Sequence, residues 1–287
     1  MRKNAKSILA GLFIAGLSIT ANAQVQQPVV PASGTGFYVG VHGGYNLPIA
    51  KQNFGFGEDT FQNYTYQDGP DKIDDIMLSL GKGANFGVNL GYMFTPHVGA
   101  ELAVDYFLGS KTTAKMKWTN YPNDVYDQKV SAKSIQLKPT VVIRGKQAQV
   151  TPYAKIGAVI GLGNKITYSY EYYEEPNYTE NKEWELKEGV SAGFTGSLGV
   201  DFAINNQVSI FGEITGIAMN YAPKKASMIS YTENGVSYIN DFYTNEREIT
   251  FEDEYTPSND PNQPTKTSRI STPFSSIGLN VGVKFHF

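Results

Sequence analysis

Residues 273–287 read PFSSIGLNVGVKFHF. From Ile277 onward the run alternates without a break: Ile277, Leu279, Val281, Val283, Phe285 and Phe287 share one face, and Gly278, Asn280, Gly282, Lys284 and His286 share the other. Period-two alternation marks a β-strand whose two faces meet different surroundings. One face here is wholly apolar and ends in aromatics; the other is small, polar or charged. In a water-soluble sandwich or barrel such an apolar face would be covered by protein. In a closed barrel placed in a membrane it would face lipid, with the polar face turned inward.

Working outward, the same alternation recurs. Residues 36–47 carry Phe37, Val39, Val41 and Tyr45 on one face. Residues 83–94 set Phe86, Val88, Leu90, Tyr92 and Phe94 against Asn85, Gly87, Asn89, Gly91 and Met93. Further strands are expected at 98–109, 129–144, 150–163, 188–204 and 207–221. Between them lie three tight turns, at 95–97, 145–149 and 205–206, the last an Asn-Asn pair of a kind favoured in hairpins. They alternate with four long polar stretches, at about 48–81, 110–128, 164–187 and 222–272. The pattern predicts an all-β fold: an eight-stranded antiparallel up-and-down transmembrane barrel with short turns at one end and four long loops at the other. Within the fourth loop, residues 226–231 and 236–242 are candidates to pair as a hairpin.

The N-terminus fits an exported chain. Arg2, Lys3 and Lys6 precede a short apolar run, and Ala21-Asn22-Ala23 has the form of a cleavage site. Residues 1–23 are therefore expected to be a signal peptide, 24–35 a flexible periplasmic leader, and 36–287 the barrel. Removing 1–23 takes the formal net charge from −3 to −6, which gives no support for nucleic-acid binding. The chain has no Cys, so no disulfide framework holds it.

The closing strand, with Leu279, Val281, Val283, Phe285 and a terminal Phe287, resembles that of bacterial outer-membrane β-barrel proteins, in particular the small A-, X- and W-type barrels. In that family the aromatic-ended strand is the signal read by the barrel-assembly machinery. The resemblance implies a Gram-negative outer membrane, contact with its lipid and lipopolysaccharide, and export through a cleaved signal peptide.

Turning the apolar faces outward places Glu101, Asp105, Gln136, Lys138, Arg144, Lys155, Asp201, Glu213 and Lys284 in the lumen. An eight-stranded barrel is just wide enough for side chains to fill. Four acids facing four bases there are expected to pair into a plug. His42 falls on the lumen face as well, whereas His97 and His286 lie near the short-turn end. No triad is recognisable, and neither enzymatic activity, a cofactor nor a metal site is expected. Asp68, Asp71, Asp74 and Asp75 in the first loop, with Glu252, Asp253, Glu254 and Asp260 in the fourth, lack the spacing of a Ca²⁺ loop and suit a solvated acidic surface. Tyr168, Tyr170, Tyr172, Tyr173 and Tyr178 suit either a patch for a host or cell-surface ligand or strand extensions beyond the membrane. Three functions stay open: an envelope and surface-interaction module, a narrow porin or transporter of small or hydrophobic solutes, and a lipid-modifying enzyme.

Overall fold

The computed structural model describes residues 34–287 except 57, 58, 68, 69, 122, 175 and 258. The expected signal peptide and nearly all of the leader lie outside the described residues. Eight strands close a ring: β1 (Gly36–Pro48), β2 (Gly83–Met93), β3 (Val98–Gly109), β4 (Val125–Arg144), β5 (Val150–Glu174), β6 (Ser191–Ala203), β7 (Val208–Tyr221) and β8 (Ser276–His286). Each pairs antiparallel with its successor, and β8 returns to β1 through Val41↔Val283 and Tyr45↔Leu279. Closure leaves no sheet edge in the ring, so every ring strand has a partner on both sides.

The alternation sorts side chains as the ring requires. Phe37, Val41, Phe86, Leu90, Leu102, Ile143, Phe194, Leu198, Ile214, Leu279 and Phe285 all lie exposed on the outer wall. On β4 the outward residues from Ile135 to Ile143 carry no charge, and on β5 the same holds from Val150 to Leu162. That height matches the roughly 9–11 residues a tilted strand needs to cross hydrocarbon. The first outward charges beyond it are Lys133 and Lys165, both exposed.

Several expectations need correction. Residues 164–187, read as a long loop, take the other form that their tyrosines suited, strand extensions. β5 runs on to Glu174 and forms a hairpin with Tyr178–Lys187, Tyr168 facing Trp184 and Tyr170 facing Lys182. A one-residue shift hides this continuation from a strict period-two reading. Lys133 pairs with Lys165, whereas Ile135 pairs with Leu162, so β5 bulges at Gly163, whose φ is +56°. The bulge reverses which parity points inward: Tyr153, Lys155 and Val159 are buried below it, and Asn164, Ile166 and Tyr168 above it. Asn164 locks the bulge, accepting from Ser134 Oγ (2.5 Å) and donating to Gly161 O (2.9 Å) and Ser191 Oγ (3.0 Å).

The Asn205-Asn206 link is likewise not a two-residue hairpin turn. Strands end at Ala203 and restart at Val208, and Asn205 Oδ1 caps the link by accepting from the amides of Gln207 and Val208, both at 2.8 Å. The expected 226–231 with 236–242 hairpin forms only at its tip. There Glu233 faces Val236 across Asn234-Gly235, both at positive φ, while most of Lys225–Glu233 pairs with the strand from the third loop.

Beyond the ring the long loops extend the same sheet into a crown on β4 and β5. Its order is Lys72–Asp75, Gln62–Tyr66, Thr112–Trp118, the upper parts of β4 and β5, Tyr178–Lys187, Lys225–Glu233, Glu248–Glu252 and Thr265–Ser268.

Candidate functional site

The lumen is layered, and register sets each layer. Nearest the short links lies a charged layer. Lys155 Nζ bridges Glu101 Oε1 (2.7 Å) and Glu213 Oε2 (2.8 Å), and Lys284 Nζ binds Asp201 Oδ1 (2.8 Å). Asp105 lies between Lys138 and His42, the latter at 3.2 Å. These groups are almost fully shielded, Glu101 at 4%, Lys155 at 6% and Lys284 at 2% exposure. Aromatics complete the coordination: Tyr38 Oη donates to Glu101 (2.8 Å), Tyr153 Oη donates to Glu213 (3.0 Å), and Lys284 Nζ stands 4.2 Å from the Tyr153 ring centre and 4.5 Å from that of Phe211. Gly91 and Gly282 face inward where Tyr38 and Phe211 lie across them, and a Cβ at either position would overlap a ring.

Eight charges were expected to pair four with four. The geometry instead pairs four acids with three lysines. Arg144 makes no ion pair among the described residues, and its buried Nε has no hydrogen-bond partner. Asp201, which lines the same small cavity as Arg144, is held by Lys284. Gln136 is buried on the same inner face.

A layer of amides and hydroxyls follows. Asn85 donates to Asn46 (2.9 Å), Asn280 donates to Thr215 (3.1 Å), and Ser197 and Thr215 share a hydrogen bond (2.9 Å). Above this the interior turns apolar, a feature the sequence reading missed. Phe107, Val130, Ala132, Ile166, Ile217, Met219 and Tyr221 point in from the ring and its extensions. Phe54, Phe61, Leu78 and Leu80 from the first long loop pack onto them together with Phe274. Phe274 packs edge-on to Phe107 (5.7 Å) and Tyr221 (6.3 Å). The parity of β3, β4 and β7 continued past their charged residues carried the signal; the loop's contribution had none, because its apolar residues have no regular spacing.

The three histidines separate. His97 Nδ1 meets the carbonyl of Arg144 at 3.1 Å, and His286 Nε2 meets Ser209 Oγ at 2.9 Å. No carboxylate hydrogen-bonds His286 among the described residues, so this Ser–His pair lacks the acid that orients a catalytic imidazole. The cavity beside it is about 10 Å³, room for a single water. No group of three His, Asp or Glu side chains suited to a metal comes together among the described residues.

Of the expected surface residues, Asp71 accepts from Tyr64 Oη (2.6 Å), and that hydrogen bond pushes the Tyr64 phenol up to about 12. Asp74 lies 3.7 Å from Lys72, Glu252 pairs with Lys266, and Asp253 pairs with Arg269 at 3.1 Å. Asp68 lies outside the described residues. Tyr168 is buried in the apolar cap, Tyr170 donates to Glu180, and Tyr172, Tyr173 and Tyr178 lie toward the hairpin tip.

A closed ring with an uncharged outer belt and a polar, side-chain-filled interior is the architecture of outer-membrane barrels. The family model for the outer membrane protein beta-barrel domain matches residues 11–287. The chain belongs to that family. Its place is accordingly the outer membrane of the Gram-negative envelope. Among solved structures, the outer membrane protein OprG from Pseudomonas aeruginosa is 12% identical with a TM-score of 0.43, over 91% of this chain and 98% of that one. CarO from Acinetobacter baumannii is 14% identical with a TM-score of 0.28, over 73% and 98% respectively. None of the curated proteins matches the chain.

Proposed function

We propose that this protein is a sealed outer-membrane anchor that carries an interaction surface, the crown, outside the cell. In this reading the short links face the periplasm and the long loops face outward, as is usual for the architecture. The outward row Leu279, Val281, Val283, Phe285 and Phe287 serves as the signal to the assembly machinery, the belt contacts lipid and lipopolysaccharide, and residues 1–23 are cleaved on export. The chain works without a cofactor.

One observation carries the reading: the interior holds an ion-paired layer and, above it, a buried apolar cluster. The cavity among His42, Glu101, Lys155 and Glu213 is about 10 Å³, space for about one water. A hydrated ion crossing there would have to displace the Lys155 bridge and then enter the apolar cap, each costly for a charge. The separate cavity at the Ser209–His286 pair, also about 10 Å³, argues against the lipid-modifying alternative there.

The test is conductance in planar bilayers and swelling of loaded liposomes, using refolded mature protein and a Glu101→Gln variant. The expected result is no steady conductance and no swelling with either protein. A discrete, solute-selective conductance in the wild type, altered by Glu101→Gln, would make the charged layer a gate and the protein a narrow porin.

A further inference from the structure

The far rim of the crown carries an aromatic run that lumen sealing does not use. Tyr64 and Tyr66 lie 4.2 Å apart, Tyr66 stacks on Trp118 (5.3 Å, 3° between planes), and Trp118 meets Tyr172 edge-on at 6.1 Å. Three different segments of the chain supply these rings, so the run exists only once the crown has assembled.

Beside Trp118 and Tyr172 opens a cavity of about 550 Å³, within the usual size of small-ligand sites. Its wall combines Trp118, Tyr121 and Tyr172 with the carboxylates of Asp124 and Glu174 and the amide of Asn120. No Lys, Arg or His lines it among the described residues. Two lysines of the same strands are engaged elsewhere, Lys115 with Asp127 (2.9 Å) and Lys129 with Glu171 (2.6 Å). Tyr172 Oη donates to Glu174 (3.2 Å), which holds that carboxylate against the aromatic wall. Burial, and then the carboxylates of Glu174 and Asp124, raise the Tyr172 phenol, so the field at the ring is negative. Tyr121 stands 64% exposed at the cavity mouth on a turn held by its amide to Trp118 O (3.3 Å) and by Asp124 N to Tyr121 O (3.0 Å). Packing therefore does not account for this ring.

Aromatic faces next to carboxylates attract a poorly hydrated cation through ring quadrupole and charge together. An anion would be repelled by the same wall. A neutral sugar would draw on the stacking but leave the carboxylate charge unused.

We propose that this cavity binds a small organic cation of the alkylammonium class, with Trp118, Tyr121 and Tyr172 as the cage and Glu174 and Asp124 as its counter-charge. The site rests on the reading of the crown as an interaction surface and names the ligand chemistry of that surface.

The chain has 2 Trp, so Trp184→Phe leaves Trp118 as the sole indole emitter in the refolded full-length barrel. Choline chloride is titrated against sodium chloride at matched ionic strength, and against glucose. The expected result is a saturable choline-dependent change in Trp118 emission, weakened about fivefold or more by Glu174→Gln and by Tyr121→Ala. Heat-modifiable gel mobility reports that each variant is folded. Tyr121→Ala, in an exposed turn, keeps the test open should Glu174→Gln fail to fold. A choline response no larger than that of sodium chloride, or one that both folded variants leave unchanged, overturns the proposal. Saturation by glucose alone overturns it too, in favour of a sugar platform. Because conductance is measured separately, a conducting barrel that still binds choline would remove the sealed-anchor reading and leave this site standing.

Discussion

Replacing Lys155 with Met tests the charged layer at its most connected point. Met keeps much of the length of the lysine stem, so little packing is lost, but the charge between two carboxylates disappears. Glu101 and Glu213, at 2.7 and 2.8 Å from Lys155 Nζ, would then face the lumen with only neutral donors at hydrogen-bond distance, Tyr38 and Asn89 for one and Tyr153 and Thr215 for the other. Removing one member of a buried pair costs about 3–5 kcal/mol, because the partner's charge is left behind. With a urea dependence of about 3 kcal/mol/M for a chain of this size, the unfolding midpoint should drop by about 1–2 M. The assay is urea unfolding of the refolded protein in lipid vesicles, followed by tryptophan emission. Lys225→Met is the control: Lys225 pairs with Glu188 at 2.9 Å with both side chains about half exposed, and such pairs contribute about 0–1 kcal/mol. Adding Glu213→Gln to Lys155→Met removes one stranded carboxylate and should recover part of the loss. Equal midpoints for Lys155→Met and Lys225→Met would refute the reasoning, since the lumen would then be wet enough to screen its charges.

Two further predictions concern the backbone and pH. At Gly163 a Cβ would meet nothing within 4 Å, so Gly163→Val should lose about 1–2 kcal/mol through its φ of +56° alone, and Gly163→Asn less; matching midpoints for the two variants would mean the bulge relaxes. Tyr64 should ionise near pH 12 in the folded crown, against 10.0 for a free phenol. Its folded pKa is the higher one, so its contribution is fully present below about pH 10 and is lost as pH rises toward 12. Ultraviolet difference titration should show Asp71→Asn returning one tyrosine toward 10, and an unchanged titration would remove the Asp71 hydrogen bond from the account.

How far the chain could be read without coordinates depended on the range of the interaction concerned. Alternation is local: each side chain's face follows from its neighbours two residues away. The eight ring strands, the outward placement of Leu279, Val281 and Phe285, and the inward placement of Glu101, Lys155 and Lys284 were therefore legible in sequence. Pairing within the lumen was only half legible. Parity says which charges face inward but not which of them pair, so it does not tell that Asp201 binds Lys284 while Arg144 has no ion pair among the described residues. The bulge at Gly163 escaped because one inserted residue changes the parity of everything after it. The hairpin expected of residues 226–231 and 236–242 was legible only in part, because most of its first strand pairs with the strand from the third loop.

The sequence by itself determined a β-barrel with a lipid-facing belt and a charged interior, because a period-two pattern leaves a closed sheet few other ways to satisfy both faces. Only the tertiary structure decided that apolar residues of the ring and the first long loop cluster in the upper interior and that Tyr66, Trp118 and Tyr172 meet at one rim. Those contacts join loop residues far apart in the chain and without regular spacing, so their geometry exists only after the strands have taken their registers.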